Sequence, residues 1–206
     1  MQSWLKSQTK EFYKMGKLVI ISGPAGVGKD TVINEIIQKQ PSWMLHQSTV
    51  TRTPRDNETE GNPYHFISES EFGNKILDCE FLEWNQYANN YYGTDKTILR
   101  DELETHEVVI LRIDVNGFQQ IQNKFKNKDI LAIFITPPSL DELKKRLTNR
   151  NTESEDEIKY RMKIAMSEMK TAKHYSYIIE NDDLQNCVNQ VITTINLVPS
   201  LTESDL

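Results

Sequence analysis

The stretch that most constrains the fold is residues 18–31, where a short apolar run breaks into glycines and then into a helical pattern. The glycines let the backbone curl, so that successive N–H groups point into one concavity beside the N-terminus of the following helix. Lys29 adds a mobile charge able to follow a phosphate. A loop placed directly between a strand and a helix favours a phosphate-binding loop over an ordinary turn. The sequence therefore predicts a nucleoside triphosphate site, although Asp30 stands where the motif has Ser or Thr.

Composition limits the classes of function. At 206 residues the chain can form one good core with inserted segments, and its net charge of −6 argues against a general attraction to nucleic acid or anionic membranes. Cys79 and Cys187 form no metal or disulfide pattern, which favours a reducing compartment. No apolar run approaches a membrane span, and residues 1–17 lack the apolar centre of a signal peptide. We expect a cytoplasmic protein and assign no function to residues 1–16.

In the first half of the chain, the sequence predicts core elements followed by one insertion. Helical spacing covers Thr31 to Lys39, and Trp43 to Val50 is predicted as a second strand. The polar run from Asp56 to Pro63 predicts a loop or a domain junction. Beyond it, short strands alternate with helices, one of them opened by a capping box at Ser68. Residues 52–103 are therefore predicted to form a small α+β insertion.

The second half predicts the rest of a parallel sheet. Val108 to Ile113 and Ile130 to Ile135 are continuous apolar runs, typical of strands buried on both faces. Helices are predicted over 118–126, 140–148, from about 157 to Lys173 and over 184–197, with a fifth strand at 177–179. Five strands alternating with helices predict an α/β, doubly wound parallel sheet, in which ligands bind at the carboxyl ends of the strands.

Further residues suggest ligand chemistry. Arg52 and Arg55 flank a rigid Thr-Pro spacer, so both guanidinium groups can reach one anion, unless they are simply two surface arginines on a loop. Glu83 can accept the paired N–H groups of a guanine edge, or it is an exposed polar residue. Asp114 ends a predicted buried strand, where a carboxylate is costly unless it is paired or functional.

Taken in order, the motifs resemble those of guanylate kinase from Gly16 to about Val198. The resemblance implies a P-loop kinase fold with a five-stranded parallel sheet, a core formed by 1–51 and 104–206, a GMP-binding insertion at 52–103 and a lid at about 148–160. The matching stretches are Ile21–Lys29, Thr51–Arg55, Tyr64–Phe66, Glu80–Trp84, Asn90–Thr94, Ile113–Val115, Pro137–Ser139 and Asn181–Asp182.

The same resemblance implies transfer of the γ-phosphoryl group of ATP to GMP, and also to dGMP, in purine nucleotide metabolism. Magnesium would accompany ATP, the substrates would be small molecules rather than nucleic acid or membrane, and the protein would be a monomer or homodimer. The implied ATP-binding residues are Gly23, Ala25, Gly26, Val27, Gly28, Lys29, Asp30, Thr31, Arg146, Arg150 and Asn181. The implied GMP-binding residues are Ser48, Arg52, Arg55, Tyr64, Glu83, Tyr92, Gly93, Thr94 and Asp114. The implied catalytic residues are Lys29, Arg52, Arg150 and Arg161, with Asp30 and Thr31 contacting the metal through water.

The sequence departs from the family pattern at several positions. Asp30 replaces Ser or Thr, Arg112 replaces an acid, and Asn89 and Asn151 replace glycines. Because an acid stands at position 30 and a base at position 112, we expect Asp30 and Arg112 to form an ion pair beside the magnesium site. Two alternatives remain open from the sequence: a guanylate-kinase-like module that binds a nucleotide or a phosphorylated partner, and a kinase of altered acceptor specificity.

Overall fold

The computed structural model describes residues 15–56, 58–87, 89–125, 130–148 and 155–198. The predictions for residues 1–14 and for Arg150 and Asn151 lie outside these ranges. The strands are β1 Lys17–Ser22, β2 Trp43–Leu45, β3 Thr49–Val50, β4 Thr59–Glu60, β5 Pro63–Phe66, β6 Phe81–Tyr87, β7 Asn90–Asp95, β8 Val108–Arg112, β9 Leu131–Thr136 and β10 Tyr177–Glu180. The helices are α1 Lys29–Lys39, α2 Glu69–Leu77, α3 Lys96–Thr105, α4 Val115–Lys124, α5 Leu140–Thr148, α6 Glu155–Met169 and α7 Leu184–Leu197.

A five-stranded parallel sheet forms the centre of the structure, with strand order β10-β9-β1-β8-β2. This confirms the predicted parallel α/β sheet. β1 pairs with β8 so that Ile21 lies opposite Arg112. The end of β8 is therefore placed next to the strand that leads into the glycine-rich loop.

Both faces of this sheet are buried, which explains its continuous apolar runs. Val19 and Ile21 pack on one side against helices α1 and α7. Leu18 and Ile20 pack on the other side in a cluster that includes residues of α3 and α4. Because side chains alternate between the two faces of a strand, every position of β1 after its first residue has to be suited to burial.

A second sheet has the strand order β4-β5-β3-β7-β6 and mixes parallel with antiparallel pairs. Helix α2 covers it and begins with the predicted capping box, in which the side chains of Ser68 and Glu71 each accept from the other's backbone N–H. Phe72 of α2 stacks on Phe81 and Tyr91, with ring centroids 4.3 and 5.4 Å apart. These aromatic residues form the small core of the second sheet.

The prediction of one strand over Trp43 to Val50 was wrong. The chain leaves the parallel sheet after Leu45 and joins the second sheet at Thr49. Between them the buried His46 contacts Glu102 at 2.5 Å, across the other connection between the two sheets. This long-range contact outweighs the local strand propensity, and it places β3 before residue 52.

Other boundaries differ for local reasons. Helix α6 ends at Met169 instead of about Lys173, because Thr171 bonds back to the carbonyl of Glu168 and a 3-10 turn follows. Helix α4 begins three residues earlier than predicted, since Asp114 caps it. The predicted loop over 56–63 contains the short strand β4.

The turn between β6 and β7 explains one departure from the family pattern. Asn89 has φ 63°, in the left-handed region that glycine adopts most easily. Asparagine is among the residues that tolerate this region best, so the turn keeps its shape without glycine. Within the described ranges, no helix is both long enough and apolar enough to cross a membrane.

Candidate active site

The glycine-rich loop passes tightly between β9 and Asn181. Gly23 has φ 148°, and a Cβ atom there would lie 2.2 Å from the carbonyl oxygen of Ile135. Gly28 has φ 99° and caps α1, and a Cβ there would lie 2.7 Å from the Asn181 amide nitrogen. Only glycine fits these positions, and the loop therefore presents backbone rather than side chains to a ligand.

Lys29 places its ammonium group at this loop. Its Nζ donates to the carbonyl oxygens of Gly23 at 2.5 Å and Pro24 at 3.1 Å. Burial lowers the pKa of Lys29, while the carboxylates of Glu168 and Asp30 act in the opposite direction. A desolvated ammonium gains from a nearby anion, which suits a residue that contacts the phosphates of a nucleotide.

Asn181 and Arg146, both predicted to bind ATP, hold the loop through its backbone. Asn181 is buried and its side-chain amide donates to the carbonyl oxygen of Val27 at 2.8 Å. Arg146 donates to the same oxygen at 3.3 Å, to the carbonyl oxygen of Asn181 at 3.0 Å and to Glu142 at 3.3 Å. The structure thus brings these two residues together behind the loop. Arg161, which the resemblance implied to be catalytic, lies half-buried on α6.

Glu168 is a site residue that the sequence reasoning missed. It lies near the end of α6, where its charge favours the ammonium form of Lys29 and the backbone N–H of Ala25 favours its own ionised form. Burial nevertheless raises the pKa of Glu168. A lone acid within a helical pattern gives no signal of such a role, because only the tertiary packing of α6 brings it to the loop.

The second cluster surrounds Arg52. Its guanidinium group donates to both oxygens of Glu58, at 2.6 and 2.8 Å, and lies over the rings of Tyr64 and Phe66 at 5.0 and 5.6 Å from the centroids. The rings of Tyr92 and Tyr64 pack edge-on, with their centroids 6.3 Å apart. The arginine is therefore fixed on an aromatic surface that the predicted GMP-phosphate residues share.

Glu58 joins the guanidinium group of Arg52 to the backbone of Arg55, so the anion predicted to be shared by both guanidinium groups stays a prediction. Besides the Arg52 fork, it accepts the backbone N–H of Arg55 at 3.0 Å. The hydrogen bonds from Arg52 and Arg55 lower the pKa of Glu58 to about 2. Sequence reasoning did not single out this residue. The available signal was an acid three residues beyond Arg55 in an arginine-containing loop.

A third cluster surrounds Glu83, which is only 5% exposed. Thr94 donates its hydroxyl to Glu83 at 2.6 Å. Burial raises the pKa of Glu83 to about 7; the charge of Asp114 acts in the same direction, while Thr94 and Lys124 oppose it. Glu83 and Thr94, the predicted guanine-recognising pair, therefore lie in direct contact. The alternative of an exposed polar Glu83 was wrong.

The remaining predicted GMP residues lie around these clusters. Asp114 is exposed rather than buried, so the expected burial cost was wrong. It accepts from the Asn85 amide at 2.6 Å and from the Gly117 N–H at 2.8 Å. Gly93 lies buried beneath two phenylalanine rings. Ser48 accepts the backbone N–H of His65 at 3.1 Å through its carbonyl group.

Arg112 lies between the glycine-rich loop and the Arg52 cluster. Its Nη1 donates to Asp30 at 2.8 Å, which confirms the expected ion pair. Its Nη2 donates to the hydroxyl of Tyr64 at 2.9 Å. One guanidinium group therefore joins the first turn of α1 to the second sheet.

The sequence profile described as guanylate kinase matches residues 15–197. The chain belongs to the guanylate kinase family. A guanylate kinase of Malacoplasma penetrans is 41% identical over 183 residues, which cover 88% of this chain and 93% of that relative. One from Prochlorococcus marinus is 41% identical over 179 residues, covering 87% and 96%. The crystal structure of guanylate kinase from Anaplasma phagocytophilum superposes with a TM-score of 0.69 at 26% identity, covering 89% of this chain and 86% of that one.

Two of the departures from the guanylate kinase pattern, Asp30 and Arg112, bear on the metal. Asp30 gives one carboxylate oxygen to Arg112, and Thr31 is exposed beside it. Among the described residues, no group of three or more His, Cys, Asp or Glu side chains is arranged to hold a metal ion. Magnesium needs only one or two protein carboxylates when phosphates and water supply its other ligands. The residues present fit that kind of binding.

Proposed function

We propose that the glycine-rich loop and the second sheet form the two halves of one phosphoryl-transfer site, with ATP at the loop and GMP at the sheet. As a member of the guanylate kinase family the protein is a kinase that phosphorylates GMP. The observation that carries this is 41% identity to a relative of that name over nearly the whole of both chains. The contacts described above support the assignment of individual residues.

On the donor side, we assign the triphosphate to the backbone N–H groups of residues 23–31 and to Lys29. The ammonium group already lies at the loop, and its lowered pKa reflects a charge that a phosphate would stabilise. Arg146 and Asn181 fix the loop's backbone, and Arg150 and Arg161 are proposed to reach the triphosphate from the lid at about 148–160.

On the acceptor side, we assign the GMP phosphate to Arg52, Arg55, Tyr64 and Tyr92. Arg52 is held rigidly by Glu58 and by the aromatic rings, so little side-chain entropy is lost when a phosphate binds. The guanine edge is assigned to Glu83 and Thr94, with Ser48, Gly93 and Asp114 near the nucleotide. A carboxylate offers only acceptors, which match the adjacent N–H donors of guanine and not the acceptor at the same edge of adenine.

Phosphoryl transfer asks mainly for positioning and charge stabilisation, and no general base has to be identified. Magnesium, when bound with ATP, would neutralise charge on the phosphates, held mostly by phosphate oxygens and water with Asp30 or Thr31 contacting it through water. Lys29 and the arginines supply the remaining positive charge. Closure of the lid would exclude water from the transferred group.

The alternative of a binding module that has lost catalysis is not favoured. The loop keeps Lys29 at its mouth, and Gly23 and Gly28 have the positive φ angles that let a glycine-rich loop present its backbone N–H groups to a phosphate. The division into a core, an insertion at about 52–103 and a lid stays our proposal, as do the monomeric or homodimeric state and the cytoplasmic location.

A coupled assay of ADP formation tests the function, with GMP, dGMP, AMP and UMP as acceptors. We expect turnover with GMP and dGMP only. Lys29→Met should lose turnover while still binding GMP, because the substitution removes the charge at the donor side alone. Turnover with AMP or UMP at a similar rate, or no turnover with any acceptor, would overturn the assignment.

A further inference from the structure

We propose that Arg112 is a positioning residue that links the two substrate sites. Its contact with Asp30 at the phosphate loop then affects the affinity for GMP at the second sheet. The proposal rests on the function proposed above. It concerns a residue outside the site predicted from the family pattern, in which an acid usually stands at this position.

Arg112 lies between the two halves of the proposed site. It is the last residue of β8 and lies opposite Ile21, one residue before the end of the strand that feeds the loop. Its guanidinium group donates to Asp30 on α1 at 2.8 Å and to Tyr64 on β5 at 2.9 Å. These partners belong to the donor half and the acceptor half of the site.

The hydrogen bond from Arg112 orients the hydroxyl of Tyr64. The phenol oxygen accepts from the cationic guanidinium group, so its own hydrogen is directed away from Arg112 and is left to donate elsewhere. A hydroxyl that accepts a charge-assisted hydrogen bond becomes a stronger donor. Tyr64 also packs on Arg52 and Tyr92 through its ring, so the residue whose hydroxyl meets Arg112 is part of the proposed GMP-phosphate cluster.

Arg112 is held more firmly than an arginine in a simple surface ion pair. The Asp30 side chain is 69% exposed, and exposed pairs contribute little to stability on their own. The Arg112 side chain is only 28% exposed and is held at both ends. Removing Asp30 would therefore release the guanidinium group from one anchor and change the way it meets Tyr64.

A calorimetric measurement of GMP affinity, made without ATP or magnesium, tests the linkage. Asp30→Asn should weaken GMP binding by about 3- to 10-fold, as expected for one charge-assisted contact that is lost indirectly. The matched control is Glu35→Gln, which removes the same charge from the same helix at a residue bonded to Gln185. The control should leave the GMP affinity unchanged.

The decisive comparison uses combined variants. In a Tyr64→Phe or Arg112→Met background, Asp30→Asn should have no further effect on GMP affinity, because the connection is already broken. Thermal unfolding of each variant confirms that it is folded. Additive losses, or an Asp30→Asn variant that binds GMP as tightly as the unaltered protein, would overturn the linkage. If the unaltered protein itself binds no GMP, the proposed function and the linkage both fail.

Discussion

Glu58 accepts both arms of the Arg52 guanidinium fork, at 2.6 and 2.8 Å. A bidentate pair of this kind fixes the plane as well as the position of the arginine. The site proposed for the GMP phosphate is thus arranged by an acid of the protein itself. Hydrogen bonding to Glu58 also raises the pKa of Arg52, so its charge is kept under all working conditions.

The first prediction concerns this acid. Glu58→Gln should raise the KM for GMP by about 3- to 10-fold and leave the KM for ATP unchanged, since the amide holds only one arm of the fork. Steady-state kinetics with each substrate varied in turn measures both constants. Glu60→Gln is the matched control, because Glu60 lies in the same segment but contacts His65 and the Phe66 N–H instead. Tighter GMP binding by Glu58→Gln would show that Glu58 competes with the phosphate rather than positioning Arg52.

The second prediction concerns Arg52 itself. Arg52→Ala should weaken GMP binding far more than ATP binding, because the phosphate loses a charge-assisted donor worth about 1.5–3 kcal/mol. The loss is increased by Glu58, which would stay as an uncompensated negative charge beside the phosphate. Calorimetry with each nucleotide separately measures the effect, and Arg100→Ala on the exposed side of α3 serves as the control. Equal losses for both nucleotides would contradict the assignment.

The third prediction follows from the pKa of about 7 at Glu83. Guanine offers N–H donors, so the carboxylate form binds it and the protonated form does not. GMP affinity should therefore rise as the pH increases through 7 and become constant above it. Glu83→Gln should remove this dependence and relax the preference for guanine over adenine. A guanine-to-adenine ratio unchanged in that variant would mean that guanine is recognised elsewhere.

The fourth prediction applies the same pKa to stability. Burial raises the pKa of Glu83 from 4.5 to about 7 in the folded state, so the folded protein keeps a proton that the unfolded chain releases within this interval. Stability should consequently fall as the pH rises from 4.5 to 7, by up to about 3 kcal/mol from this residue. Urea unfolding at several pH values measures it. The difference between the unaltered protein and Glu83→Gln isolates the contribution of Glu83, and an equal slope in both would contradict it.

The sequence was sufficient to predict a feature where local preferences and the fold favour the same structure. The continuous apolar runs at 108–113 and 130–135 predicted buried parallel strands, and Ser68 with Glu71 predicted a capped helix. The replacement of a hydroxyl by an acid at Asp30 and of an acid by a base at Arg112 predicted their ion pair, because the fold places β8 beside β1. In each of these cases the deciding contact is local or fixed by the strand order.

The sequence did not predict the features that depend on contacts between residues far apart in the chain. The break at His46 depends on Glu102, which lies 56 residues further along the chain. The role of Glu168 depends on the packing of α6, and the contact of Arg112 with Tyr64 depends on how the second sheet lies against the first. None of these pairs has a characteristic sequence spacing, so no periodicity or motif could reveal them.

The last prediction tests the ion pair of Asp30 and Arg112. Asp30→Ser leaves Arg112 without its anion beside the proposed magnesium site, and Arg112→Glu places two acids next to the proposed triphosphate site, so each single change should lower kcat. The double change recreates the hydroxyl and acid usual in the family. It should restore much of the rate, with a coupling on the order of 1–3 kcal/mol for a close pair.

The double change should also increase the affinity for magnesium in the presence of ATP, which a magnesium titration of the rate measures. The KM for GMP should stay raised, because the glutamate cannot replace the hydrogen bond that Arg112 donates to Tyr64. Losses that simply add would show that the two residues act independently.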